Sequence, residues 1–139
     1  MAQDKEKIAM IVNTASYERV AFALGIAATQ QALGKEVHVL FGYGGLIRLK
    51  KGFTDQVGEE TDHWVREQVK SGIEKGSISK ISELLQDLSK LGGKIYACPA
   101  AMTLHGIPKD ELIEEVYAVR GVTAFLQEQA KDASKIIYV

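Results

Sequence analysis

The chain has 139 residues, 46% of them hydrophobic and 25% charged, a balance that suits a globular protein able to bury a core without disulfides or metals. Seventeen basic residues against 18 acidic ones leave a formal net charge of −1, which gives no electrostatic case for nucleic acid or an anionic membrane as partner. No apolar run approaches the ~18 residues of a membrane span, and one cysteine forms no internal disulfide.

The start, "MAQDKEKIAMIV", is polar and then strand-like, without a signal peptide's order of basic, apolar and small-residue regions. A cytoplasmic location is expected. "KIAMIVNT" (7–14) reads as a buried strand, and "SYERVAFALGIAATQQALG" (16–34) as an Ala-rich helix. Gly25 inside that helix suits close packing on a sheet, and Gly34 suits its end. "EVHVLFGY" (36–43) is the second strand, and "GGLIRLKKG" (44–52) a helical turn followed by a loop. Arg48, Lys50 and Lys51 make a small basic cluster there, either a solvated face or a docking patch.

"TDHWVREQVKSG" (61–72) reads as a helix with Trp64, Val65 and Val69 on one side. In "SISKISELLQDLSKLGG" (77–93), Ile78, Ile81, Leu84, Leu85, Leu88 and Leu91 fall on one helical stripe, ended by Gly92 and Gly93. "KIYAC" (94–98) is the third strand, and "PAAMTLHG" (99–106) a short helix closed by Gly106. "PKDELIEE" (108–115) reads as a further helix, with Pro108 at a first-turn position. "VYAV" (116–119) is the fourth strand. A helix follows over 121–133, with Val122, Phe125, Leu126, Gln129 and Ala130 inward, and "KIIYV" (135–139) is the fifth strand. This alternation implies one α/β domain over residues 1–139, a three-layer α/β/α sandwich around a parallel sheet. The long Gly-rich connection over 44–77 is of the kind that is functional or mobile.

Ligands in open α/β sheets bind outside the carboxyl ends of the strands, which is where Cys98 falls. Pro99 is favoured as a first helical residue, so Cys98 becomes the N-cap, beside unpaired N–H groups and the positive end of the helix dipole. That setting favours the thiolate, the nucleophilic form. The alternative is a small buried hydrophobe, a common role for free cysteine. His105 lies two helical turns on and either shares a face with the thiol or is a surface histidine near a helix end. Arg120, just past the fourth strand, either steadies a thiolate, persulfide or anionic substrate or is a solvated loop charge. Thr14 and Ser16 either donate to an anion or cap the following helix. "FGYGG" (41–45) is no phosphate motif, and Gly44 and Gly45 read as a tight turn that lets backbone come close to the site. No Cys/His group has zinc spacing, and neither metal nor cofactor is expected.

Three stretches together resemble the DsrE/DsrF-like (DsrEFH-type) sulfur-relay family, in its single-domain DsrE-like or peroxiredoxin-like branch. They are residues 7–52, with the Ala-rich helix and the aromatic–Gly–Leu turn after strand two, residues 91–116, with the cysteine at the strand end, and residues 120–139. Only about 53–76 is left unconstrained. The resemblance implies a five-stranded parallel sheet of order 4-3-2-1-5, with the Gly44–Gly45 turn and Arg120 flanking Cys98. It implies that Cys98 carries sulfur as a persulfide or thiosulfonate between donor and acceptor proteins or small sulfane-sulfur compounds. It also implies a homo-oligomer, a dimer, trimer or hexamer, with the cysteine near a subunit interface. Some relatives have a second, upstream cysteine, which "LQDLSKLGGKIYA" lacks, so a mechanism through an intramolecular disulfide is excluded. The leading expectation is a sulfur carrier or sulfurtransferase-like protein. The alternative is a non-catalytic module that binds a small anion or nucleotide, with Cys98 a packing residue. A peroxidase-like turnover is disfavoured by the lack of a resolving thiol.

Overall fold

Apolar runs of four to six residues become strands here because a parallel sheet hides them from water on both faces. The computed structural model describes residues 5–139, and the polar opening read at residues 1–4 lies outside the described residues. β1 (Lys7–Val12), β2 (Glu36–Phe41), β3 (Lys94–Ala97), β4 (Val116–Val119) and β5 (Lys135–Tyr138) form one sheet in the order β4-β3-β2-β1-β5. Every pairing is parallel, with Val12 opposite Phe41, Phe41 opposite Ala97 and Ala97 opposite Val119. The carboxyl ends of all five strands therefore open on one edge of the sheet.

α1 (Tyr17–Ala32) buries Val20, Ala23, Leu24 and Ala27, a stripe of helical period, and ends where Gly34 adopts a left-handed φ of 90°. α3 (Ile81–Lys90) buries Ile81, Leu85 and Leu88 against it. With α2 (His63–Lys75) and α4 (Pro99–His105) they cover the first face of the sheet, over Ile8, Met10, Val12, Val39 and Phe41. On the second face Ala9, Leu40 and Tyr96 meet Phe125 and Ala130, the two buried side chains of one short covering segment. Ile136 and Tyr138 share that face by their register with Ala9 and Ile11, and both are exposed, as is Tyr117.

Several expectations are corrected. The helix expected over 121–133 is a single turn, α5 (Val122–Ala124), running into a π-helical turn over Phe125–Gln129. The Ala130 N–H bonds the Phe125 carbonyl at 2.8 Å, so residues five apart share a side. Phe125 and Ala130 are thereby buried, while Val122 and Leu126, expected inward, stay exposed. Residues 108–115 form only a short 3₁₀ turn, Lys109–Glu111. Their backbone groups are taken by residues 49–51: Lys51 N–H bonds the Glu111 carbonyl, Ile113 N–H bonds the Leu49 carbonyl, and Lys50 and Leu112 form an antiparallel bridge. Trp64 is exposed rather than packed beside Val69, and Leu91, closing α3, is also exposed. Gly25 does not bring α1 onto the sheet, since a Cβ built there meets no atom within 4 Å. Arg48 is no member of a surface cluster, being 0% exposed.

Candidate functional site

β3 ends at Ala97, and Cys98 is the N-cap of α4 with Pro99 at its first turn, as the order of residues predicts. The Cys98 N–H bonds the Phe41 carbonyl at 3.1 Å, which sets Cys98 level with Gly42. The Arg120 N–H bonds the Ala97 carbonyl at 3.0 Å, setting Arg120 on the other side. Gly42 N–H bonds the Val12 carbonyl, and Asn13 N–H the Val139 carbonyl. The carboxyl edge is thus a row, Arg120, Cys98, Gly42 and Asn13, one residue from each adjacent strand end. Cys98 is half-buried and free, and its side chain packs against both hydrophobic clusters.

Gly44 and Gly45 lie in a 3₁₀ helix, Tyr43–Leu49, that leans on the loop after β1. A Cβ at Gly45 would stand 2.5 Å from the Val12 carbonyl oxygen, and one at Gly44 3.4 Å from Ala15 N. Only glycine allows the approach at position 45, whereas a Cβ at position 44 would make an ordinary contact. Tyr43 holds a left-handed φ of 31°, and His105 Nε2–H donates to its carbonyl at 2.7 Å. His105 therefore clamps the turn beside Cys98. Thr14 Oγ1 accepts from the Ser16 N–H at 3.1 Å, and the buried Ser16 hydroxyl donates to Glu18 at 2.7 Å. Ser16 occupies the N-cap position of α1 without a side-chain bond to the helix N–H groups, and its proton is already engaged. The Arg120 head turns back on the π-helical turn, its Nε 3.4 Å from a Glu128 carboxylate oxygen. Thr14, Ser16, Gly44, Gly45, Pro99, His105 and Arg120 all follow the carboxyl ends of β1 to β4: Pro99 adjoins Cys98 and Arg120 is level with it, whereas Thr14 and Ser16 follow β1, two strands away.

Sequence reasoning missed Asn13, Gly42 and Glu128. Asn13 Nδ2 donates to the Tyr138 hydroxyl at 2.8 Å, and a Cβ on Gly42 would lie 3.9 Å from Asn13 Oδ1. Their closeness follows from strand order and register. It also missed the part played by Arg48. The buried guanidinium donates to the Ala15 carbonyl at 2.7 and 3.0 Å, to the Gln56 carbonyl at 2.6 Å and to the Thr54 carbonyl at 3.2 Å. It lies 3.3 Å from Glu60 and stacks over the Tyr17 ring. Burial pushes its pKa down, and Glu60 opposes that shift. Residues 54–60 of the Gly-rich connection are therefore pinned to the loop after β1. Lys50 stacks on Phe53, and Lys51 bonds the Asp110 carbonyl.

On the second face, the buried His38 bonds the Tyr96 hydroxyl through Nδ1 at 2.8 Å, with Nε2 3.3 Å from Glu36. Burial pushes the His38 pKa down, against the pull of Glu36. With neutral imidazole, the Tyr96 hydroxyl donates to Nδ1, and Nε2 lies near the Glu36 carboxylate without a hydrogen bond to it. Burial, helped by Tyr117, raises the Tyr96 pKa to about 12. Among the described residues no three His, Cys, Asp or Glu side chains are grouped to hold a metal, and no helix is long and apolar enough to cross a membrane.

A model of the DsrE/DsrF/DrsH-like family matches residues 57–137, more than half of the chain. The match begins inside the stretch 53–76 that the resemblance left unconstrained, and residues 7–52 lie outside it. A Bacillus subtilis (strain 168) protein described as uncharacterised, YrkE, is 23% identical over 163 aligned positions that span the whole of both chains. The Escherichia coli ychN protein superposes with a TM-score of 0.65 over 96% of this chain and 99% of its own, at 15% identity. MTH1491 from Methanobacterium thermoautotrophicum, described as of unknown function, gives 0.69 over 97% and 100%, at 16% identity. These two structures share the five-stranded parallel sheet of order 4-3-2-1-5.

Proposed function

The chain belongs to the DsrE/DsrF/DrsH-like family, and from that premise we propose that it is a cytoplasmic sulfur carrier, working as one domain, with Cys98 as the carrying group. The observation that supports this most is the register at the carboxyl edge. A half-exposed thiol stands between a cation, Arg120, and a residue without a side chain, Gly42. A sulfur atom added to the thiol gains room on the Gly42 side, and Arg120 would supply a countercharge by turning its guanidinium from Glu128 toward the sulfur.

In the loading step, the Cys98 thiolate attacks the outer sulfur of a donor persulfide. A new S–S bond forms at Cys98, the donor's own S–S bond breaks, and the donor thiolate leaves with the electron pair. Tetrathionate would load the same cysteine as a thiosulfonate and release thiosulfate. In the unloading step, an acceptor thiolate attacks the outer sulfur and Cys98 leaves as thiolate, so no net oxidant is needed. Pro99 sets the start of α4, whose N–H groups face the edge, and Arg120, once released from Glu128, would balance the negative charge. Thr14, Ser16, Gly44, Gly45 and His105 shape the rim that a donor or acceptor meets. The second face, with Tyr117, Ile136 and Tyr138 exposed, supports a homo-oligomer.

One observation favours a second reading. The Cys98 side chain packs against both clusters, as a structural cysteine would. The edge would then bind a small anion or nucleotide without covalent chemistry. Intact-mass spectrometry of the reduced protein after polysulfide, thiosulfate or tetrathionate, with Cys98→Ser alongside, separates the two. The carrier gives a sulfur or thiosulfonate adduct that a small thiol removes and the variant lacks. A thiol inert to all three reagents and to iodoacetamide at neutral pH leaves the binding module.

A further inference from the structure

The outer side of α1 carries a feature that the fold does not need. Glycine inside a helix weakens it relative to alanine, so an interior glycine calls for a reason. At Gly45, in the 3₁₀ helix, and Gly72, in α2, the reason is contact, since an added Cβ would stand 2.5 Å from a neighbouring atom. At Gly25 it would meet nothing within 4 Å. Gly25 instead lines a groove of about 630 Å³ between α1 and the α2–α3 connection. That volume suits a small molecule.

The walls are mostly apolar: Ile26 from α1, Ile78 and Leu84 opposite, and Phe22, 74% exposed, beside them. Thr29, Ser77 and Ser79 add hydroxyls, and the charge of the lining is negative only. Glu18 is the sole ionisable lining residue, and just one of its oxygens is engaged, by the Ser16 hydroxyl. Gln30 also lines the groove, and its side-chain oxygen is buried without a donor. What the lining lacks is a cationic N–H donor on an apolar body.

The geometry points to a binding site for a small apolar amine, a primary ammonium on an alkyl or arylalkyl body. The hydrocarbon lies over Gly25 against Ile26, Ile78 and Leu84, and the ammonium pairs with Glu18. The site is separate from Cys98 and does not depend on sulfur transfer.

Titration of the full chain with 2-phenylethylamine, followed by protein-observed NMR, tests this against two controls on the same phenylethyl body, 2-phenylethanol and 3-phenylpropionate. The amine is expected to saturate at or below about 10 mM and to shift residues 18–30 and 77–84. The alcohol should bind about tenfold more weakly, and the carboxylate more weakly still. Glu18→Gln, which still accepts from Ser16, should remove the advantage of the amine over the alcohol. Gly25→Leu should abolish binding of both while the protein melts no lower than the parent. Equal binding of amine and carboxylate, binding retained in Gly25→Leu, or no saturation overturns the site. So does a dimer, seen by light scattering, that Gly25→Leu dissociates, because a second copy would then occupy the groove.

Discussion

On the first face of the sheet four helices bury a continuous apolar cluster, and at its margin a buried arginine is met by three carbonyls and a carboxylate. On the second face a short segment covers the middle of the sheet with Phe125 and Ala130, and the polar pair His38–Tyr96 lies inside. The first face leaves little undone. The second leaves Tyr117, Ile136 and Tyr138 in water and holds a histidine whose burial opposes its protonation. The lesson is one of topology. A sheet of order 4-3-2-1-5 winds three successive crossovers to one side and only the last to the other. Cys98 lies where the two faces meet.

If the first face depends on its polar margin as well as its aliphatic core, Arg48→Met should have the largest effect. It leaves Glu60 and the Ala15, Thr54 and Gln56 carbonyls without their donor and should cost about 3–5 kcal/mol in urea unfolding. A cost below about 1 kcal/mol would mean that water replaces the guanidinium freely and that residues 54–60 are not held by it. Gly45→Ala comes next. The methyl group would press on the Val12 carbonyl, which is backbone and does not yield, so a loss of about 1–3 kcal/mol is expected.

The second face should be the acid-sensitive one. The unfolded chain protonates His38 near its ordinary pKa of 6.5, and the folded chain only at lower pH. Between those values the unfolded state binds more protons. The contribution of neutral His38 is therefore complete above pH 6.5 and declines as pH falls through that value, levelling off below the folded pKa. Glu36, Lys7 and Lys94 act on the same ring: the carboxylate favours its protonation and the lysines oppose it. Melting temperature followed from neutral to mildly acid pH should fall more in the parent than in His38→Gln. Parallel curves would show that this face does not sense pH through His38.

Much of this layout was readable in the chain. The strands were, because short apolar runs bounded by polar residues have few alternatives, and Cys98 as N-cap was, because Pro99 marks a helix start locally. The strand order came from family resemblance, since periodicity carries no information on which strands pair. What escaped depends on distant partners. Arg48 looks like a surface charge beside Lys50 and Lys51, and only the folded loop supplies its acceptors. Residues 108–115 have helical composition, but hydrogen bonds to residues 49–51 take their backbone. The 121–133 stripe fits an α-helix, and only the need to bury Phe125 and Ala130 together selects the π turn. The Arg120–Cys98–Gly42–Asn13 row exists only once the register is set.

The smallest stability effect is expected at the junction of the two faces. Cys98→Ala removes one sulfur atom from a half-buried position and leaves the N-cap backbone bonds to Phe41 and Met102 in place. The side chain makes no capping hydrogen bond that the change would lose. A loss within about 1 kcal/mol follows from partial burial alone. A loss of about 2 kcal/mol or more would put the thiol among the packing groups that hold the two clusters together, since only a void between them reaches that size. A near-neutral substitution that also removes the sulfur adduct would assign the residue to chemistry. The combination matters because either measurement alone leaves room for the other role: an inert thiol can be energetically silent, and a packing thiol at an exposed edge can still be modified.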